Sequence, residues 1–369
     1  ALAAVEVRDN GKLFAEMSAQ TAYMAQWYHY YGGLADKIEG AVLPTDKPQT
    51  FNYTRYEPLG VVAAIVPWNS PLLLMAWKLA PALAAGNTVV VKPSEYTSAS
   101  ALEFMKLVEA AGFPPGVVNV VTGLGPEVGS ALVEHPLVAK VAFTGSDATG
   151  QRVYEAAARG LKRVSMELGG KSPNIVFDDA DLDNAMKGVI SGIFAATGQT
   201  CIAGSRLLVQ ESIHDQFLDR LVTFAQSARM GDPMDAGTQI GPVTNLPQLE
   251  KILHYIGVAK GEGAQPLLGG ARASRPECGN GWFVEPTIFA GVRNSMRIAQ
   301  EEVFGPVLAV IPFTGEDEVV QAANSTIYGL AATIWTNDIK RAHTLARRLQ
   351  AGNVSINYPT VNPPEAPFG

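Results

Sequence analysis

The first 40 residues carry apolar and aromatic side chains at helical spacing, at Phe14, Met17, Tyr23, Trp27, Tyr30 and Leu34. A stripe of this kind predicts amphipathic helix with one packed face. The following segment, LPTDKPQTFNYTRYEPLG, alternates polar and bulky residues between prolines and glycines. It predicts an exposed strand or hairpin that projects from the body and is able to pair with another subunit.

From Gly60 onward, short β-branched runs alternate with helix-like stretches. GVVAAIV, NTVVVK, VVNVVTG and KVAFTG are each followed by a helical segment. This order predicts a parallel sheet with helices on both faces, and in such sheets ligands bind at the carboxyl ends of strands. A second series begins near Ser165, with KRVSMELGG and SPNIVFDD, and predicts a second α/β domain. GDPMDAGTQIGP and EGAQPLLGGARASRPECGNG are rich in glycine and proline and predict surface loops.

Composition narrows the functional class. The chain has 369 residues, which suggests about two domains. Its 28 basic and 35 acidic residues give a net charge of −7, so a nucleic-acid partner is not expected. The most apolar stretch, from Val61 to Val91, is interrupted by prolines and polar residues, which indicates a buried core rather than a membrane span. The amino terminus has no signal-peptide pattern.

Cysteine and histidine usage adds two expectations. Only Cys201 and Cys278 are present, which rules out a disulfide framework and favours a reducing, cytoplasmic compartment. The five histidines show no ligand spacing with each other or with the cysteines, so no metal site is predicted.

Three segments could hold a nucleotide. GLGPEVG, from Gly123 to Gly129, lies between a strand and a helix, although a tight turn explains its glycines better when taken alone. FTGSDATG, from Phe143 to Gly150, presents a turn that opens a helix, which suits a pyrophosphate as well as it suits helix capping by Ser146. VVVKPSE places Lys92 and Glu95 after a strand, where they could bind ribose hydroxyls or form a surface ion pair.

Three side chains suit acyl chemistry. Cys201, among small residues in ATGQTCIAG, is a candidate nucleophile, with a buried structural thiol as the alternative. Glu167 ends the strand KRVSM before two glycines, where a movable general base could sit. Asn69, in VPWNSP, could donate to an oxyanion, and an Asx-turn is the alternative.

Taken together, six motifs in one order make the chain resemble the NAD(P)-dependent aldehyde dehydrogenase superfamily over nearly its whole length. They are PWN (Pro67 to Asn69), KPSE (Lys92 to Glu95), FTGS (Phe143 to Ser146), ELGGKSP (Glu167 to Pro173), GQTC (Gly198 to Cys201) and EEVFGPV (Glu301 to Val307). The resemblance implies a Rossmann-like parallel-sheet cofactor domain, a second α/β catalytic domain and a short strand arm for oligomerisation. The implied limits are 1–45 with 59–166 for the NAD-binding domain, 46–58 for the arm and 167–369 for the catalytic domain.

By this resemblance, Cys201 attacks an aldehyde, Asn69 and the Cys201 N–H hold the oxyanion, and Glu167 activates water to release the acid. The implied cofactor residues are Val66, Pro67, Trp68, Lys92, Ser94, Glu95, Gly125, Gly129, Phe143, Gly145, Ser146, Leu168, Gly169, Glu302 and Phe304. The implied substrate residues are Trp68, Trp77, Thr200, Ile202 and Phe368, with the small Ser70 at the tunnel mouth.

Three residues refine what the resemblance implies. The Glu95 carboxylate would repel a 2′-phosphate, so NAD is favoured over NADP. Glu167 favours hydrolysis, because members that pass the thioester to coenzyme A generally lack this base. Asp147, where the family commonly has threonine, places a negative charge near the pyrophosphate, with a modest unfavourable effect expected on affinity.

The ends of the chain depart from the family pattern. Both look truncated, and Pro367-Phe368-Gly369 falls inside what resembles the PFGG motif. In the family the following tail pairs with a neighbouring subunit, so a homo-oligomer is expected if the ends allow it. Two alternatives remain at this stage: a catalytically silent subunit that binds dinucleotide, and a cysteine-dependent esterase side activity that needs no cofactor.

Overall fold

The structure is a computed structural model that describes residues 1–360 and 362–368. The chain divides into two compact units: Ala1–Asp9 with Ser18–Leu168, and Asn10–Met17 with Gly169–Gly369. Leu168 ends the first unit and Gly169 continues the second, which also includes the segment Asn10–Met17. The functional assignment of the domains stays a prediction.

The amino-terminal half begins with the predicted helix and hairpin and continues with alternating strands and helices. Its helices are α1 (Leu2–Asn10), α2 (Phe14–Gly32), α3 (Pro71–Ala84), α4 (Ala99–Ala110), α5 (Ser130–Glu134) and α6 (Asp147–Arg159). Its strands are β1 (Val42–Leu43), β2 (Asn52–Tyr53), β3 (Val61–Ile65), β4 (Thr88–Lys92), β5 (Val118–Val120), β6 (Val138–Thr144) and β7 (Arg163–Glu167). A break at Gly11, whose φ is +74°, separates α1 from α2.

The first unit contains a five-stranded parallel sheet in the order β5-β4-β3-β6-β7. Successive side chains of a strand point to opposite faces, and β3 shows this directly. Val62 and Ala64 pack with α3 and α4 residues such as Leu72, whereas Ala63 packs with Val141 on the other face. Both faces of the sheet are thus buried, as the apolar runs predict.

The second unit contains a seven-stranded sheet in the order β10-β11-β12-β9-β8-β13-β14. Its strands are β8 (Pro173–Val176), β9 (Arg206–Gln210), β10 (Gln265–Leu268), β11 (Thr287–Ala290), β12 (Val307–Phe313), β13 (Ala331–Trp335) and β14 (Asn353–Ile356). Its helices are α7 (Leu182–Phe194), α8 (His214–Gln226), α9 (Leu246–Gly261), α10 (Arg297–Gln300), α11 (Glu316–Asn324) and α12 (Ile339–Arg348). The pairing is parallel except between β10 and β11.

Two expectations are corrected. The strand of KRVSMELGG, β7, was expected to open the second series, but it pairs in parallel with β6 in the first sheet, from Lys140 opposite Arg163 to Thr144 opposite Glu167. The glycine-rich stretch after α9 was expected to be a loop, but it contains the edge strand β10. In both cases the strand partner lies outside the local pattern. Elsewhere, the predicted α/β class with a parallel sheet is confirmed.

The hairpin of β1 and β2 is exposed, as predicted. The two strands pair antiparallel, with Val42 opposite Tyr53 and Leu43 opposite Asn52. Val42, Phe51 and Tyr53 are 67%, 75% and 61% exposed, so the hairpin presents an apolar surface. Among the described residues, none of the helices has the length and apolar character needed to cross a bilayer.

Candidate active site

A cleft of about 490 Å³ opens at the carboxyl ends of β3, β4 and β6 in the first unit. Every first-unit residue implied for the cofactor lines it, except Leu168: Val66, Pro67, Trp68, Lys92, Ser94, Glu95, Gly125, Gly129, Phe143, Gly145 and Ser146. The parallel sheet brings them together because its strands all end at one edge. The volume is in the ordinary range for a small-molecule site.

Lys92 lies at the end of β4 with its stem buried and its ammonium group directed along the loop that follows. Its Nζ donates to the Pro93 carbonyl at 2.8 Å and lies 3.5 Å from Glu95 Oε2. The buried stem rules out a solvated surface pair, which was the alternative for these two residues. A cation and a carboxylate are therefore held at one wall of the cleft.

Ser146 precedes α6, in the position that caps a helix. Its hydroxyl, however, is bonded to Thr149 Oγ1 at 3.1 Å rather than to a backbone N–H of the first turn. The Ser146 side chain therefore does not cap α6. Gly145, Ser146 and Thr149, at the start of α6, line the cleft, and the dipole and N–H groups of a helix amino terminus favour an anion. Asp147 adds its negative charge to this first turn.

Several residues that line the cleft were not predicted from the sequence. They are Tyr96, after Glu95, and Thr149, Arg152, Val153 and Ala156 on α6. The α6 residues follow helical spacing from the FTGS motif, so one face of the helix continues the cleft wall. That spacing was visible in the sequence and could have identified them.

Glu167 ends β7, beside the end of β6. Its carbonyl accepts a hydrogen bond of 3.1 Å from the Gly145 N–H, which fixes the strand end. Burial raises the pKa of its carboxyl group above the ordinary value, and the positive charge of Lys78 partly opposes that shift. A carboxylate with a raised pKa is a stronger base than an exposed one, which suits the predicted role.

The other predicted residues of the first unit lie on or near α3 and β7. Asn69 is buried just before α3, and Ser70, also buried, precedes its first turn. Trp77 on α3 stacks on Trp27 with ring centroids 5.1 Å apart. Leu168 packs so closely on α6 that a Cβ at Gly150 would meet it at 2.4 Å.

Cys201 follows an unusual loop in the second unit. After α7, the backbone takes left-handed φ values at Ala196, Thr197 and Gly198, of 53°, 54° and 67°. Left-handed conformations are costly for residues with a Cβ and are concentrated at functional sites. Cys201 is partly exposed, whereas Cys278 is buried. Thr200 and Ile202, on either side of the thiol, are also half-buried.

Gly170, in the glycine pair that follows Glu167 and Leu168, contacts two predicted site residues of the second unit. Gly170, which follows Gly169, donates its N–H to Glu302 Oε1 at 3.0 Å. A Cβ at Gly170 would lie 2.3 Å from the Cys201 carbonyl oxygen. The segment therefore passes tightly between the backbone of Cys201, the predicted nucleophile, and the carboxylate of Glu302, a predicted cofactor residue.

Phe304, the other implied cofactor residue of the second unit, has a φ of +59°. The Gln248 amide on α9 donates to the carbonyls of Val303 and Phe304, at 2.9 Å each. These two bonds hold the strained turn in place. Phe368, near the end of the described chain, is half-buried.

Lys171 and Arg206 are two neighbouring buried cations of the second unit. Arg206 donates to the carbonyls of Lys171, Ala322 and Ala323, at 2.8, 2.9 and 2.8 Å. Burial, followed by the charge of Arg206, lowers the pKa of Lys171 to about 7, and Glu302 opposes the shift. No local sequence pattern indicates that this lysine is buried.

These features fit a nicotinamide dinucleotide. The cleft has the volume, and it offers a helix amino terminus for a pyrophosphate and the Lys92–Glu95 pair for ribose hydroxyls. Gly145 is also required by packing, because a Cβ there would meet the Phe143 ring at 2.5 Å. The residues present are thus those that such a cofactor needs.

Comparison with known proteins agrees with this geometry. The model of the aldehyde dehydrogenase family matches residues 1–369. A (Z)-2-((N-methylformamido)methylene)-5-hydroxybutyrolactone dehydrogenase of Acinetobacter baylyi is 50% identical, over 100% of this chain and 75% of that protein. The mitochondrial aldehyde dehydrogenase of Homo sapiens is 47% identical, over 100% of this chain and 71% of that protein.

Solved structures give the same result. The crystal structure of betaine aldehyde dehydrogenase from Staphylococcus aureus in complex with NAD⁺ superposes with a TM-score of 0.98 at 42% identity. The match covers 100% of this chain and 73% of that one. The chain belongs to the aldehyde dehydrogenase family, whose activity is the oxidation of the aldehyde group.

Proposed function

We propose that this chain oxidises an aldehyde to the carboxylic acid with NAD, and that Cys201, Asn69 and Glu167 carry the reaction. The observation that supports this most is the convergence of the implied nucleotide residues on one cleft at the strand ends of the first unit. The family match and the NAD⁺ complex of a similar enzyme support the same cofactor.

In the first step, the Cys201 thiolate bonds to the aldehyde carbon, and the carbonyl electrons move onto oxygen. The Asn69 amide and the Cys201 N–H donate to this oxyanion, since fixed donors stabilise charge that develops in the transition state. The thiohemiacetal then expels hydride as its oxygen reforms a carbonyl, which leaves a thioester on Cys201. NAD, when bound, supplies the hydride acceptor.

In the second step, Glu167 takes a proton from water, and the oxygen bonds to the thioester carbon. The carbon–sulfur bond then breaks, which releases the acid and regenerates the thiolate. The raised pKa of Glu167 strengthens it as a base for this proton transfer. The presence of this carboxylate supports hydrolysis rather than transfer to coenzyme A.

Cofactor choice follows from Glu95. Its carboxylate lies on the cleft wall beside Lys92, where it can accept from a ribose 2′-hydroxyl. A 2′-phosphate would meet a like charge there, which favours NAD over NADP. The aldehyde itself is proposed only as an aliphatic or aromatic one, because the implied substrate residues are mainly apolar.

We also propose assembly into a homo-oligomer through the arm at residues 46–58. Phe51 and Tyr56 on this arm are 75% and 73% exposed. Apolar side chains on a projecting hairpin with two free strand edges favour pairing with another chain. A cytoplasmic location is proposed because both cysteines are free thiols.

NADH formation tests the proposal. Wild-type chain and Cys201→Ala are compared with NAD or NADP and a panel of acetaldehyde, benzaldehyde and betaine aldehyde, and Cys278→Ala serves as the matched control. Turnover with NAD in wild type and Cys278→Ala, and none in Cys201→Ala, is expected. Turnover that persists in a folded Cys201→Ala variant would refute the mechanism.

A further inference from the structure

The loop before Cys201 holds a backbone conformation that its own sequence does not favour. Ala196 and Thr197 both have φ values above +50°, although each carries a Cβ. Residues in such conformations persist when the surrounding structure holds them there. The contacts that hold this loop therefore decide where the nucleophile's backbone lies.

The segment Asn10–Met17, which we call the brace, supplies one such contact. Glu16 Oε1 accepts a hydrogen bond of 2.7 Å from the Ala196 N–H, at the first left-handed residue. Its other oxygen, Oε2, accepts from the Leu13 N–H at 3.3 Å within the brace. One carboxylate thus joins the brace to the loop, and a bond to a charged acceptor is stronger than a neutral one.

Further hydrogen bonds join the loop to residues 241–244. Thr197 Oγ1 donates to the Gly241 carbonyl at 3.1 Å, and the Thr244 N–H donates to Gln199 Oε1 at 3.0 Å. Thr244 Oγ1 in turn donates to the Asn10 carbonyl of the brace at 2.6 Å. Residues 197 to 199 are therefore tied to the brace indirectly, whereas Ala196 is tied to it directly by Glu16.

Two glycines show that the backbone around this loop is closely packed. A Cβ at Gly241 would lie 2.5 Å from the Gly11 carbonyl oxygen, and one at Gly198 would lie 2.1 Å from the Gly305 carbonyl oxygen. The backbones of residues 241 and 11, and those of residues 198 and 305, therefore approach each other closely. Any shift at Ala196 would occur within a packed loop that leads to Cys201.

We infer that Glu16 is a positioning residue for Cys201, which acts by holding the Ala196 amide and thereby the left-handed loop that presents the thiol. This inference rests on the proposed role of Cys201. Loss of the carboxylate removes the acceptor that Glu16 offers to the Ala196 N–H. A displacement of about 1 Å at a reacting group can cost as much as about 100-fold in rate.

The test compares Glu16→Ala, Glu16→Gln and the matched control Glu250→Ala, an exposed glutamate on α9. Alkylation of Cys201 by iodoacetamide is followed across pH by peptide mass spectrometry, together with kcat, KM for aldehyde and the Kd for NAD. Glu16→Ala should slow alkylation and lower kcat by about 10- to 100-fold. Its Kd for NAD should stay close to the wild-type value, because the brace residues are not among those that line the cleft.

Glu16→Gln should recover most of the loss, because its amide oxygen still accepts from Ala196, and Glu250→Ala should behave as wild type. Wild-type alkylation and kcat in a folded Glu16→Ala variant would overturn the inference. If Glu16→Ala does not fold, Glu16→Asp decides: slowed alkylation supports the inference, and the wild-type rate overturns it. Alkylation needs no aldehyde, so this result stands apart from NADH formation, which tests the proposed function.

Discussion

The carboxylate of Glu302 accepts a hydrogen bond of 3.0 Å from the backbone N–H of Gly170. The same glycine leaves no room for a side chain, because a Cβ there would lie 2.3 Å from the Cys201 carbonyl oxygen. One peptide thus touches the backbone of the proposed nucleophile and the carboxylate of Glu302, which the resemblance implies for cofactor binding.

Gly170→Ala should therefore displace the Cys201 backbone and lower kcat by up to about 100-fold. The matched control is Gly257→Ala on α9, where a Cβ meets open space and Ala favours the helix. Steady-state kinetics on both variants, with circular dichroism to verify folding, measure the effect. Equal kcat values in the two variants would show that the contact does not position Cys201.

Asn69→Ala should remove one donor to the proposed oxyanion. Loss of such a donor costs about 10²- to 10³-fold in kcat, and KM should change much less. Asn119→Ala, which removes an exposed amide bonded to the Gly116 carbonyl, is the control. If Asn69→Ala retained more than about a tenth of wild-type kcat, the oxyanion assignment would be wrong.

Glu167→Gln should slow hydrolysis of the thioester, so that a burst of NADH is followed by a slow steady state. In wild type, the base is lost as pH falls through its raised pKa, so the steady-state rate should fall towards acid pH. The variant has no such carboxyl group and should lose this limb of the profile. Stopped-flow absorbance measures both phases, and Glu109→Gln on α4 is an exposed control.

Lys171 should make the free energy of unfolding depend on pH. Its pKa is about 7 in the folded chain against an ordinary 10.5, so the unfolded chain binds more protons between these values. Stability should therefore rise with pH in that window, by about 2 kcal/mol between pH 7 and pH 9. Lys171→Met removes this titration. The thermal midpoint of wild type, relative to that of the variant, should therefore rise between pH 7 and pH 9. Calorimetry at both pH values that found a constant difference would indicate an ordinary lysine.

Much of the fold could be predicted because parallel strands buried on both faces are strongly apolar and are punctuated by glycine and proline. The structure confirms the strand-helix series from Val61 to Arg159 and the exposed hairpin. Sheet membership could not be predicted for β7, because apolar alternation marks a strand without naming its partner. β10 was missed because its four residues contain a proline and lie among glycines.

The site shows the same contrast. Residues of short motifs at strand ends were identified because a parallel sheet gathers those ends at one edge. Glu16 and Gln248 were missed, since their partners Ala196 and Phe304 lie far along the chain. The strain at Ala196, Thr197 and Phe304 was also unpredictable, because long-range contacts rather than local propensity maintain it.

The most direct measurement is the mass of the acyl-enzyme. Glu167→Gln is mixed with NAD and benzaldehyde, quenched in acid during the burst, digested and examined by mass spectrometry. A benzoyl group is expected on the Cys201 peptide and none on the Cys278 peptide. No adduct is expected when NAD is omitted and the sample is quenched in acid. An enzyme that forms NADH in the burst while Cys201 stays unmodified would contradict the proposed covalent mechanism.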